Sequence, residues 1–286
     1  LVAVEGLQQV VQGPRLVAHG HHDGGLVLTG LADFLMAQHQ EAGGVVGFVF
    51  DIFCQLVQAV AFGSGLTGNG GGTRVFVTRF GEYTDDLARM VAWAKTELGG
   101  PVVLFGHSMG GLVTLRALLD QPTLAAAAVL SNPALANKVT IPGWKEWLGQ
   151  RASRLWPTLA IPSGIPPEHV SRDADKVREY AADPLVSKQA TARWYTEFCQ
   201  AQAEVLAAPE RLREVPLLAL IGDGDLIADP APNIAFFGRT GPRTRLLVYP
   251  GMYHELLNEP AADRARVLAD IGGWLAELPR QDGRAD

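Results

Sequence analysis

The run Pro101-Val-Val-Leu-Phe-Gly-His-Ser-Met-Gly-Gly-Leu-Val113 decides the fold. Its opening is apolar and partly β-branched, the composition of a strand buried on both faces. Gly106-His107-Ser108-Met109-Gly110 then forms a G-x-S-x-G, and a helical pattern follows from Gly111. A serine on such a tight strand-to-helix turn projects its hydroxyl above the sheet from a strained backbone. Side chains at 106 or 110 would collide with neighbouring backbone, which accounts for both glycines. The helix aims its positive end, including the Met109 N–H, at an oxyanion formed there. A G-x-S-x-G alone is a weak signal, and a glycine-rich turn around a buried serine is the bland alternative. The strand before and the helix after supply the confirming context.

Outward from this segment, strand-like and helix-like stretches alternate. Val45–Phe53, Ala125–Leu130, Leu217–Ile221 and Thr244–Tyr249 are short and apolar, like Pro101–Phe105. Between Asp85 and Leu98, Leu87, Met90, Val91, Ala94 and Leu98 make one apolar helical stripe, with Thr84 as the expected N-cap. Pro260 opens a last helix with Val267, Ile271 and Trp274 on its inner face, and Pro279 ends it. This alternation predicts a mostly parallel α/β sheet flanked by helices. Residues 136–213 break the rhythm, being rich in Pro and Trp early and helical later. They read as a helical cap over the sheet end where such folds place their ligand crevice, with surface packing as the bland alternative.

A serine hydroxyl needs a histidine to take its proton and a carboxylate to orient that histidine. Leu218-Ala-Leu-Ile-Gly-Asp-Gly-Asp225 leaves a strand into an acidic loop. Leu246-Leu-Val-Tyr-Pro-Gly-Met-Tyr-His254 leaves a later strand in the same way, and no other histidine does. The acid is one of Asp223, Asp225 and Asp229. Asp225 is favoured, because the loop must turn at Gly224 before a side chain can aim back. Asp223 reads otherwise as a turn-former and Asp229 as a residue preceding Pro230.

These residues resemble the monoacylglycerol lipase and lysophospholipase branch of the α/β-hydrolases, also described as S33-like or hydrolase-4. The likeness runs from about Thr73 to the carboxyl end. It rests on Gly106-His-Ser-Met-Gly-Gly111, Ser131-Asn-Pro-Ala-Leu135, Ser171-Arg-Asp173, Tyr180-Ala-Ala-Asp-Pro-Leu185, Gly222-Asp-Gly-Asp225 and Tyr249-Pro-Gly-Met-Tyr-His-Glu-Leu-Leu-Asn-Glu-Pro260. The resemblance implies an α/β-hydrolase fold and hydrolysis of a single-chain glycerolipid ester under a cap. It implies Ser108 as nucleophile, Asp225 as acid and His254 as base, with no cofactor. It also implies an oxyanion hole of backbone N–H groups, Met109 with His21 in Leu16-Val-Ala-His-Gly-His21. The amino-terminal part departs from the pattern. Gly63-Ser-Gly-Leu-Thr-Gly68 matches the family's Gly-His-Gly-x-Ser-x-Gly loop poorly, and glutamines cluster near Gln8, Gln38 and Gln55. Residues 1–62 read as diverged or altered, for example by a reading-frame error.

Composition bounds the rest. The chain has 286 residues, enough for a single large α/β domain, with 48% hydrophobic and 19% charged residues, which argues against disorder. A formal charge of −6 gives no basic footprint for nucleic acid. Cys54 and Cys199 fit no metal or redox spacing and read as buried thiols. No apolar run reaches the roughly 20 residues of a membrane span, and no leader pattern opens the chain, so a cytoplasmic protein is expected. Transient contact of the cap with a membrane or micelle is a further expectation. His19, His21, His22 and Asp23 invite a metal reading, but His-Gly-His-His-Asp is not the usual spacing, and no metal is expected. Two rivals remain: an impaired hydrolase-fold binding protein, and an acyltransferase using the same triad.

Overall fold

The structure is a computed structural model that describes residues 47–49, 73, 75–97, 100–138, 143–162, 165–184 and 186–279, with the side chains of 47–49, 143–146 and 148 left aside. Among these residues the main sheet has five strands: β1 (Gly47–Val49), β2 (Val102–His107), β3 (Ala127–Ser131), β6 (Leu217–Gly222) and β7 (Thr244–Tyr249). They lie in the order β1-β2-β3-β6-β7, and every pairing is parallel. All five fall on the stretches expected to be strands. A second, antiparallel ribbon pairs β4 (Ala160–Pro162) with β5 (Gln189–Thr191).

Alternation along the strands builds two cores. Val102, Leu104, Leu130, Ala219 and Ile221 face one side, packing with α1 (Gly81–Glu97), α2 (Met109–Asp120), α5 (Ala192–Leu206) and α6 (Pro230–Phe237). Val103, Phe105, Val129, Leu218 and Leu220 face the other, where Val267, Ile271 and Trp274 of α7 (Ala261–Glu277) cover them. Buried apolar side chains on both faces are what make these strands read as continuous hydrophobic runs. Each fully buried Leu or Val contributes about 1.5–3 kcal/mol relative to exposure. The fold is the α/β-hydrolase fold expected from the sequence.

Two local readings change. Helix α1 begins a turn earlier than the apolar stripe indicates, and Thr84 lies inside it, donating to the Gly81 carbonyl at 3.0 Å. Glu82 caps instead: its Oε1 accepts from the N–H groups of Thr78 and Arg79 at 3.1 and 3.2 Å. The next N–H, of Phe80, donates to Glu197 of α5 at 3.0 Å, and the apolar stripe carries no sign of either contact.

The long connection between β3 and β6 holds α3 (Gly143–Leu155), β4, α4 (Ala174–Ala182), β5 and α5. Its last helix belongs to the main body, since Phe198, Ala201 and Val205 sit in the same core as α2. The stretch 136–213 is therefore two-part: an excursion through α3 and α4, then a return onto the sheet's helical layer.

Candidate active site

Strand β2 delivers Ser108 to the carboxyl edge of the sheet, where open α/β folds collect ligands. Its backbone sits at φ 51°, ψ −120°, a region costly for any residue with a side chain. Backbone bonds hold it there. The Ser108 N–H donates to the Ser131 carbonyl at 3.1 Å, and the Ser108 carbonyl accepts from Gly111, Leu112 and Ala134 at 2.9–3.2 Å. A Cβ on Gly106 would come within 2.8 Å of the Gly110 oxygen, the Gly111 Cα and the Thr114 Oγ1. A Cβ on Gly111 would meet Pro133 at 2.6 Å, a constraint the G-x-S-x-G pattern does not mention. Gly110 is buried in the first turn of α2, and Met109 begins that helix, where N–H groups lack intrahelical partners.

Strands β6 and β7 end level with each other, Gly222 opposite Tyr249, and their loops meet over Ser108. His254 and Asp225 are buried, at 5% and 2% exposure. His254 Nδ1 lies 2.7 Å from Asp225 Oδ2, and Nε2 lies 2.8 Å from Ser108 Oγ. Facing a carboxylate, Nδ1 carries the hydrogen, which leaves Nε2 to accept from the serine hydroxyl. The other Asp225 oxygen accepts from the N–H groups of Ile227 and Ala228 at 2.7 and 3.0 Å. Its rotamer is thus fixed from both ends.

The other two acids are occupied elsewhere. Asp223 accepts from the Gly251 N–H, and Asp229 caps α6 through the Ala231 N–H at 3.3 Å. Of the three carboxylates in that loop, Asp225 is the one bonded to His254.

His107 lies beside the histidine. Its Nδ1–H donates to the Ser131 carbonyl at 3.0 Å, and its ring centroid is 4.7 Å from that of His254. Lost hydration, and then the neighbouring His254, push its pKa down to about 3. It is a neutral wall against which the His254 ring rests.

Three residues matter here that sequence reasoning left without a role: Asn132, Glu259 and Arg172. Buried Asn132, at φ 40°, donates through Nδ2 to the carbonyls of Tyr253 and His254 at 3.0 and 2.7 Å. Its Oδ1 accepts from the Gly222 N–H at 2.8 Å, so one side chain joins the ends of β3 and β6 to the histidine loop. Glu259 is wholly buried and accepts from the Tyr253 N–H at 2.8 Å and from Arg172 Nε at 2.6 Å. All three stand in motifs quoted above, but a motif gives position and not partner.

His21 and the cluster His19, His22 and Asp23 lie outside the described residues, as do Cys54 and nearly all of residues 1–62. Among the described residues, no group of three or more His, Cys, Asp or Glu side chains gathers as a cation would require. No helix among them is long and apolar enough to cross a membrane.

Sheet, elbow and histidine loop together define an α/β-hydrolase. The family model described as serine aminopeptidase, S33 matches residues 61–261, and the chain belongs to that family. It is 29% identical over 214 residues to the monoacylglycerol lipase of Mycolicibacterium smegmatis, covering 73% of this chain and 74% of that one. It is 28% identical over 215 residues to the monoglyceride lipase homolog of Monkeypox virus, covering 73% and 75%. Among solved structures, the monoacylglycerol lipase of Paleococcus ferrophilus superposes with a TM-score of 0.64 at 26% identity, over 73% of this chain and 79% of that chain.

Proposed function

We propose that the protein is a serine esterase that hydrolyses monoacylglycerols or lysophospholipids through an acyl-enzyme. The observation that carries the reading is the unbroken chain Ser108–His254–Asp225, with both bonds under 3 Å and the serine on a strained elbow. His254 Nε2 takes the hydroxyl proton as Ser108 Oγ attacks the ester carbonyl. The oxyanion forms beside the start of α2 and is held by the Met109 N–H, with His21 the sequence's candidate for a second donor. Collapse of the tetrahedral intermediate expels the alcohol, which takes the proton back from His254. Water then attacks the acyl-enzyme by the same route and releases the fatty acid. Asp225 orients the imidazole and stabilises its cation throughout.

The lipid substrate is supported by the names of the relatives and by the surface of the excursion. Trp147, Leu155 and Trp156 are 54%, 85% and 62% exposed, an apolar group suited to a membrane or micelle surface.

The test is labelling by a fluorophosphonate, alongside turnover of a monoacylglycerol, a lysophosphatidylcholine and an aminoacyl anilide. Wild-type protein is expected to label and to cleave the esters in preference to the anilide. Ser108→Ala is expected to fold normally and lose both activities. Ester turnover retained in that variant would refute the assignment. Transfer of the acyl group to added glycerol in excess of hydrolysis would favour the acyltransferase instead.

A further inference from the structure

The loop that carries His254 has no long helix or strand of its own, yet the backbone around the histidine is held on every side. Asn132 takes the carbonyls of Tyr253 and His254. The remaining two bonds come from, or through, the excursion between β3 and β6. The Glu255 N–H donates to the Val170 carbonyl at 2.8 Å. The Tyr253 N–H donates to Glu259, whose other oxygen is held by Arg172. Ser171 adds a bond to the Asn258 carbonyl at 2.7 Å, and Arg172 also pairs with Asp263 at the start of α7. Residues 170–172 thus grip both sides of the histidine.

Glu259 is the centre of this grip. A buried carboxylate is tolerated only where it is paired and hydrogen-bonded, and here its two oxygens face in different directions. One fixes the residue before His254, and the other is neutralised by an arginine whose side chain is 34% exposed at the edge of the excursion. A merely stabilising surface ion pair would not hold the backbone next to the base. Moving Arg172 would leave Glu259 buried, without its ion partner and free to turn, and the Tyr253 N–H would go with it.

We infer that Arg172 and Glu259 are positioning residues that set the His254 ring against Ser108, so that a seated cap segment and an aligned base are one and the same state. The inference rests on the reading of His254 as the base of Ser108. It makes the excursion more than a cover over the acyl chain: its seating governs the chemical step itself.

The experiment is the kinetics of fluorophosphonate inactivation, which separates probe affinity (KI) from the bond-forming rate (kinact). Wild type, Arg172→Met, Arg172→Lys and Glu259→Gln are compared, each at a temperature where circular dichroism reports it folded. Arg245→Ala, which breaks an exposed ion pair with Glu277 far from the site, serves as the control. Displacement of a reacting group by about 1 Å costs up to 100-fold, so kinact is expected to fall about 10- to 100-fold in Arg172→Met and Glu259→Gln. KI should be unchanged, Arg172→Lys should recover part of the rate, and Arg245→Ala should match wild type. Wild-type kinact in the folded variants, or a loss lying wholly in KI, would overturn the inference. Should Glu259→Gln not fold, the two Arg172 variants decide. Failure of the wild type to label at all would instead strike the proposed function, and the inference would fall with it.

Discussion

The elbow and the histidine loop sit face to face but are built by opposite means. Ser108 is held by backbone: four main-chain hydrogen bonds and two glycines without room for a Cβ. His254 is held largely by side chains, Asp225 and Asn132 from distant parts of the chain and Glu259 from the end of its own loop. One half of the site therefore resists deformation by sterics. The other depends on polar bonds that single substitutions can remove. Nucleophile geometry is robust here, whereas base geometry can be tuned.

Each half can be attacked separately. After the loss expected in Ser108→Ala, the largest effect is expected at Asp225. Asp225→Asn keeps the shape but offers His254 the wrong partner, and ester turnover should drop by on the order of 10⁴-fold. Asp223→Asn, in the same loop but bonded to Gly251, should stay within about tenfold, since a displaced orienting group costs less than a lost one. Equal losses in both would dissolve the distinction between the two acids.

Asn132→Ala comes next. It strands the Gly222 N–H and two carbonyls, each unmet buried group costing about 1–3 kcal/mol, so urea unfolding should show a loss of about 3 kcal/mol or more. Gly106→Ala tests the steric half, where overpacking costs about 1–3 kcal/mol. A stability unchanged from wild type in Gly106→Ala would mean that the elbow relaxes more readily than its close contacts indicate.

The last effect is one of pH. Folded His107 accepts a proton only near pH 3, whereas an unfolded histidine does so near 6.5. Between those values the unfolded state binds the extra proton. Folding stability should therefore fall as pH drops from about 6.5 towards 3, by up to about 1.4 kcal/mol per unit from this group. His107→Asn should remove that share of the slope, read as the difference in denaturation midpoints between pH 7 and pH 4.5. An identical slope in the variant would show that His107 is hydrated in the folded protein.

The same contrast explains what could be read in advance. Strands β2, β3 and β6 announce themselves because burial on both faces leaves a continuous apolar run, whereas β7 is half-exposed and is marked by its short apolar stretch alone. The elbow is legible because its sterics demand glycine at fixed offsets from the serine. Asp225 could be favoured over its neighbours only by the turn at Gly224 and by family likeness, since three acids share the loop. Asn132 and Glu259 stayed silent. Asn132 bonds a carbonyl 122 residues away, and Glu259 bonds an arginine 87 residues away; spacing encodes neither meeting. The Thr84 cap failed for a smaller version of this reason, with Glu82 reaching backwards over the helix start.

The sheet's parallel order carries a consequence for how the molecule comes into being. Parallel neighbours cannot be joined by a hairpin, so each pairing waits on a crossover, and Ser108 meets His254 across 146 residues. Assembly of such distant partners is intrinsically slow. Helices should therefore register in far-ultraviolet dichroism well before the serine becomes reactive. A pulse of fluorophosphonate during refolding would act as a clock for the final step, marking only those chains in which the last two strands have docked.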